Sequence, residues 1–110
     1  MQVRFWLSFD LGVKGDYPGL YAWLDNHDAV ECGDGLASFI LECSNRDVAG
    51  EELMETISGN VNLAASDRIY VIYRLDDGTV RGKFMHGKRK ANPWEGYGSS
   101  GEEGEESDES

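Results

Sequence analysis

Apolar and polar residues alternate over residues 2–11, QVRFWLSFDL, and this period of two predicts a first strand. Val3, Phe5, Leu7, Phe9 and Leu11 fall on one side, and Arg4, Trp6, Ser8 and Asp10 on the other. Five large apolar groups in a row require cover from helices. A Gly-rich loop follows, then Asp16 as candidate N-cap and Pro18 in the first turn of a helix from about Tyr17 to His27. That helix is expected to bury Leu20, Leu24 and one of Tyr21 or Trp23.

Gly33-Asp34-Gly35 reads as a turn between a short strand near Ala29 to Cys32 and a longer one near Leu36 to Cys43. Asn45 and Asp47 are candidate caps for a second helix, which carries Leu53, Met54, Ile57 and Val61 at helical spacing. DRIYVIYRL is dense in β-branched and aromatic residues and predicts another strand, and Asp77-Gly78 turns the chain into a fifth, TVRGKFMH. The order β-α-β-β-α-β plus one strand predicts an α+β fold of the ferredoxin-like, split-βαβ kind, with two helices on one face of an antiparallel sheet. On the open face, Arg4, Trp6, Ser8 and Asp10 are then joined by Ser38, Ile40 and Glu42 and by Arg68, Tyr70, Ile72 and Arg74. Such a mixture of aromatic, aliphatic and charged groups reads as an interface, with a second copy or with a nucleic acid.

Length and composition fit one globular domain, since 110 residues with 40% apolar and 11% aromatic content can bury a core without metals or disulfides. Charge changes the picture, because the formal −11 is uneven along the chain. Residues 1–95 hold 15 acids and all 10 Lys and Arg, whereas residues 96–110, GYGSSGEEGEESDES, add six acids and no base. The expectation is a folded domain over 1–95 and an acidic disordered tail over 96–110. No apolar run approaches membrane length and no signal-peptide pattern opens the chain, which points to a cytoplasmic protein with no membrane association. Cys32 and Cys43 match no metal-ligand spacing and are expected as buried free thiols.

Three features carry candidate chemistry. Arg81, Lys83, His86, Lys88, Arg89 and Lys90 form the basic cluster, with Phe84 inside it and Trp94 beyond, a combination suited to DNA or RNA phosphates and bases; its plainer reading is an edge strand kept soluble by charge. The acidic tail can compete with phosphates for these cations, act as a solubility segment, or mimic nucleic acid toward a basic protein partner. His27 and His86 have no acid at a catalytic spacing, and GVKGDYPG lacks the full phosphate-loop pattern.

The run FWLSFDL, DYPGLYAWLDNHDAVECGDGLASFILE and LMETISGNVNLAASDRIYVIYRL, covering residues 3–75, resembles the SinR-type relatives of the small CRISPR adaptation subunit, the Cas-two-like family. The resemblance implies a ferredoxin-like protomer, a homodimer whose open sheet faces meet through residues such as Arg4, Trp6, Tyr70, Ile72 and Arg74, and a link to a defence or mobile-element system. It also implies that Asp10, ending the first strand, sits near its dimer mate as a metal-ligating and catalytic residue. Two such carboxylates with waters and a phosphate would make an oxygen site for Mg²⁺ or Mn²⁺ in a weak nuclease. The expected function is nucleic-acid binding or scaffolding through Arg81, Lys83, Lys88, Arg89 and Lys90, with the nuclease as alternative and catalysis the lesser expectation. An acidic interaction protein binding a basic partner is the third reading.

Overall fold

The computed structural model describes residues 1–98. The chain runs β1 (Gln2–Asp10), α1 (Tyr17–Asn26), β2 (Val30–Gly33), β3 (Leu36–Glu42), α2 (Ala49–Ser58), β4 (Arg68–Arg74) and β5 (Val80–His86). The strands make one sheet in the order β2-β3-β1-β4-β5, and every neighbouring pair is antiparallel. The described residues form a mixed α+β architecture of two helices and five strands. Among the described residues no helix is long and apolar enough to cross a membrane. The acidic tail expected over 96–110 lies, from residue 99 onward, outside the described residues.

β1 occupies the middle of the sheet and its alternation sorts the molecule into two sides. Val3, Phe5 and Leu7 are fully buried, while Arg4, Trp6, Ser8 and Asp10 are exposed. Both helices contribute to the one buried cluster, α1 through Leu20, Trp23 and Leu24 and α2 through Ala49, Leu53 and Ile57. Aromatic rings cross the core from helix to sheet: Trp23 meets Phe39 edge-on at 5.0 Å, Phe39 stacks with Phe5 at 5.8 Å, and Phe5 lies 5.1 Å from Tyr73. Trp23 also donates its Nε1–H to Thr56 Oγ1 at 3.2 Å, which ties the two helices together. Between Tyr21 and Trp23 the buried ring is thus Trp23, because its indole spans both helices while Tyr21 stays more than half exposed.

Local chemistry explains the element ends. Asp16 caps α1 by accepting from the Gly19 N–H, and its other oxygen accepts from Asn62 N at 2.9 Å, joining the loops that precede α1 and follow α2. The helix stops at Asn26, one residue before the expected end, where the His27 N–H bonds back to the Leu24 carbonyl. α2 begins after both candidate caps. Asn45 accepts from Val48 N, Val48 takes the cap position without a side-chain bond, and Glu51 and Glu52 place negative charge on the first turn. The turns at Asp34-Gly35 and Asp77-Gly78 need positive φ, 71° at Gly35 and 88° at Gly78, and a glycine supplies each.

The expectation for the cysteines requires correction at one position. Cys43 is buried, but Cys32 is exposed, because it lies on β2, an edge strand whose four residues are all exposed. A bulge between Glu31 and Gly33 also shifts β2 one residue later than the predicted strand.

Candidate nucleic-acid interface

Register decides which side chains share the open face. Trp6 lies between Ser38 of β3 and Ile72 of β4, and Ile72 faces Gly82 of β5. One row along, Ser8 lies between Leu36 and Tyr70, and Tyr70 faces Phe84. Asp10 pairs with Arg68 at the end of β1, and Arg4 pairs with Ile40 toward the other end. Gly82 permits a close approach, since a Cβ there would stand 2.5 Å from the Tyr70 hydroxyl. The ring of Tyr70 covers the glycine and pins the β4–β5 pairing on this face. Trp6 is 40% exposed, Ile40 43% and Val80 66%, an apolar surface left open by the described residues.

Two shallow depressions divide the face. The first, about 440 Å³, is lined by Arg4, Trp6, Ile40, Arg46, Arg74 and Val80 among others. Its Arg4 is braced on the sheet by donating to Ser38 Oγ at 2.9 Å, and Ser38 in turn donates to the Phe5 carbonyl. The second, about 360 Å³, is lined by Ser8, Asp10, Arg68, Tyr70, Phe84 and Arg89. There the Arg68 and Arg89 guanidiniums stand 5.8 and 5.5 Å from the centroid of the same Phe84 ring, which Tyr70 meets edge-on at 4.9 Å. Cation–π attraction to one ring therefore holds two like charges on one side of the molecule.

Asp10 sits among these cations. Its Oδ2 accepts from Arg68 Nη2 at 2.7 Å and from Arg68 Nε at 3.3 Å, and Lys90 Nζ lies 4.0 Å away. The Arg68 hydrogen bond holds the Asp10 carboxyl below the usual aspartate range, partial burial opposes the shift, and the charges of Arg68 and Lys90 add to it. Within one chain this is one carboxylate facing two cations, which does not fit a resident divalent ion. Among the described residues no group of three or more His, Cys, Asp or Glu is placed to hold a metal. His27 and His86 each engage a backbone carbonyl, that of Trp23 at 2.7 Å and that of Ala64 at 2.8 Å.

The basic run near the C-terminal end of the sheet is divided by strand alternation. Lys83 and Arg81 stand opposite Val71 and Tyr73, both buried on the helix side, and Lys83 lies 3.4 Å from Glu51 of α2. Phe84 points to the open face, and Arg89 and Lys90, beyond the end of β5, reach it. The residues expected at a partner face, Arg4, Trp6, Tyr70, Ile72 and Arg74, do share one side. Among the described residues, Arg4, Arg74, Lys88 and Arg89 have no carboxylate within 4.0 Å.

Asp67 is a residue that sequence reasoning missed, and it shapes the site. Only 1% exposed, it accepts from Gly12 N at 2.8 Å through Oδ1 and from Ala64 N at 2.7 Å through Oδ2. This clamp fixes the chain just past Asp10 against the chain just before Arg68. Arg46 was missed too, and Phe84, singled out within the basic cluster, was not separated from Arg81 and Lys83, although the alternation that sorted β1, applied to TVRGKFMH, does so. Comparison with family models, with curated proteins and with solved structures returns no match.

Proposed function

We propose that this protein is a small nucleic-acid-binding or scaffolding protein that presents the open face of a ferredoxin-like sheet to a phosphodiester backbone. The strand order β2-β3-β1-β4, with β5 added at the edge, supports the ferredoxin-like assignment. The carrying observation is cation enrichment: Arg4, Arg68, Arg74, Arg89 and Lys90 line one face beside Trp6, Tyr70 and Phe84 and outnumber the acids Asp10 and Glu42 there, on a chain with about twice as many acids as bases. Arginine forks suit phosphate oxygens, and sheet-surface aromatics offer stacking planes to unpaired bases. Free thiols at Cys32 and Cys43 accord with a cytoplasmic setting. The Cas-two-like resemblance, with its link to defence or mobile-element systems, supports the same class of function.

Fluorescence anisotropy with labelled oligonucleotides at low salt tests the reading. Binding should weaken steeply with salt, as counterion release requires, and the joint substitution of Arg68 and Arg89 by Gln should weaken it further. Salt-insensitive binding, or none, would reject it.

A second reading is favoured by the uncovered Trp6, Ile40 and Val80: a homodimer joined through the same face, bringing two Asp10 carboxylates together for Mg²⁺ or Mn²⁺. Sedimentation at increasing concentration tests it, with Trp6→Glu expected to give a monomer. Metal-dependent cleavage lost in Asp10→Ala would add the nuclease.

A further inference from the structure

One oxygen of Asp10 faces two cations. Arg68 reaches Oδ2 through both Nη2 and Nε, and Lys90 Nζ approaches the same atom at 4.0 Å. The two arginines have a support other than the carboxylate. Arg68 rests on Phe84, and Arg89 rests on the same ring without a carboxylate of its own among the described residues. Two positive groups, Arg68 and Lys90, thus approach one negative oxygen at the edge of an open 360 Å³ depression, and a third, Arg89, lines the same depression over the Phe84 ring. The Asp10 side chain is 56% exposed, so its ion pair is of the solvent-screened kind that contributes little and exchanges readily.

We propose that the Asp10 carboxylate is an internal place-holder at a phosphodiester subsite, which a nucleic-acid phosphate displaces to pair with Arg68, Arg89 and Lys90. The proposal rests on the nucleic-acid reading and deepens it. A phosphodiester presents two anionic oxygens to guanidinium forks, and it fills a site in which the single acid leaves positive charge unbalanced. Tyr70 and Phe84, beside the cations, supply apolar surface for the attached nucleoside. On this view Asp10 is a competitor for the ligand, and removing its charge strengthens binding. As a metal-ligating catalytic group, its removal would abolish activity.

The test measures anisotropy of a fluorescein-labelled eight-nucleotide oligothymidylate at low salt with the full chain. Its variants are Asp10→Asn, Asp10→Ser, Arg68→Gln, Arg68→Gln combined with Asp10→Asn, and Glu42→Gln. Glu42 is the charge control, an exposed acid at the opposite end of the face, paired with the N-terminal amine at 2.7 Å. Asp10→Asn and Asp10→Ser should each tighten binding about three- to five-fold, the upper scale of one exposed ion pair. Glu42→Gln should change it by less than about two-fold. In the Arg68→Gln background the gain from Asp10→Asn should vanish. Equal gains from Asp10→Asn and Glu42→Gln would reduce the effect to net charge and overturn the proposal. Weaker binding in Asp10→Asn would make Asp10 a positioning residue for Arg68 and also overturn it. In both cases the nucleic-acid reading stands. Absence of salt-sensitive binding in wild type and Asp10→Asn alike would reject that reading itself and the subsite with it.

Discussion

The two faces of the sheet share their backbone and differ in how they treat charge. On the helix side Asp67 is buried, and both of its oxygens are satisfied by backbone N–H groups of two loops. On the open side Asp10 is exposed and meets flexible side chains that leave it free to exchange. A carboxylate held by backbone is part of the scaffold, whereas one held by exposed arginine and lysine is replaceable by another anion. The difference separates what holds the fold from what is available to a partner.

Substitution across β1 should expose this contrast most strongly. Phe5→Ala removes a fully buried ring in contact with Phe39 and Tyr73 and should cost about 3–5 kcal/mol in chemical denaturation, whereas Trp6→Ala, one residue along, should cost about 1 kcal/mol or less. Similar costs would mean that Trp6 is covered in solution, as a dimer through the open face requires.

The two carboxylates should separate next. Asp67→Ala strands the N–H groups of Gly12 and Ala64 and should destabilise by about 2–3 kcal/mol, while Asp10→Asn should stay within about 1 kcal/mol of wild type. A large loss from Asp10→Asn would place Asp10 with the scaffold.

Acid should act on both faces together. Asp10, Asp16, Glu51, Glu52 and Asp77 are all held below their ordinary values. The leading causes are hydrogen bonds from Arg68 to Asp10, from Asn62 and Gly19 to Asp16, from the backbone N–H of Glu51 to its own carboxylate, from Ser44 to Glu52 and from Thr79 to Asp77. A carboxyl whose folded value is depressed contributes stability that is present above its unfolded value and lost as pH falls through the folded one. The melting temperature should therefore hold near neutrality and fall from about pH 4 downward. A decline already complete above about pH 5 would mean that these carboxylates do not set the acid limit of stability.

The smallest perturbation is a thiol label. Cys32 on the β2 edge should react with a disulfide reagent in the native state, and Cys43 only on unfolding. Two fast thiols would show that the covered side opens, and two slow ones that a partner protects β2.

Much of this was legible in residue order. The period of two in β1 sorted its side chains between covered and open faces, Asp16 announced the start of α1, and two glycine turns located the hairpins. Those signals are local, arising from sterics and from hydrogen bonds between residues a few positions apart. The choice of Trp23 over Tyr21 was not legible, because both sit at plausible helical positions and only Thr56 and Phe39, brought in from elsewhere, select one. The buried role of Asp67 was equally hidden, since an acid before a strand carries no local mark of burial.

The sequence by itself thus determined the elements, their order and the two-sided character of β1, because hydrophobic period and turn chemistry act within a few residues. Only the tertiary structure decided that Asp10 meets an arginine 58 positions away, that Phe84 gathers two guanidiniums, and that Arg81 and Lys83 face away from them. Those outcomes depend on the register of β1 against β4 and of β4 against β5. Slipping either pair by one residue turns the affected strand's side chains to the opposite face, and burial of the apolar set selects the register.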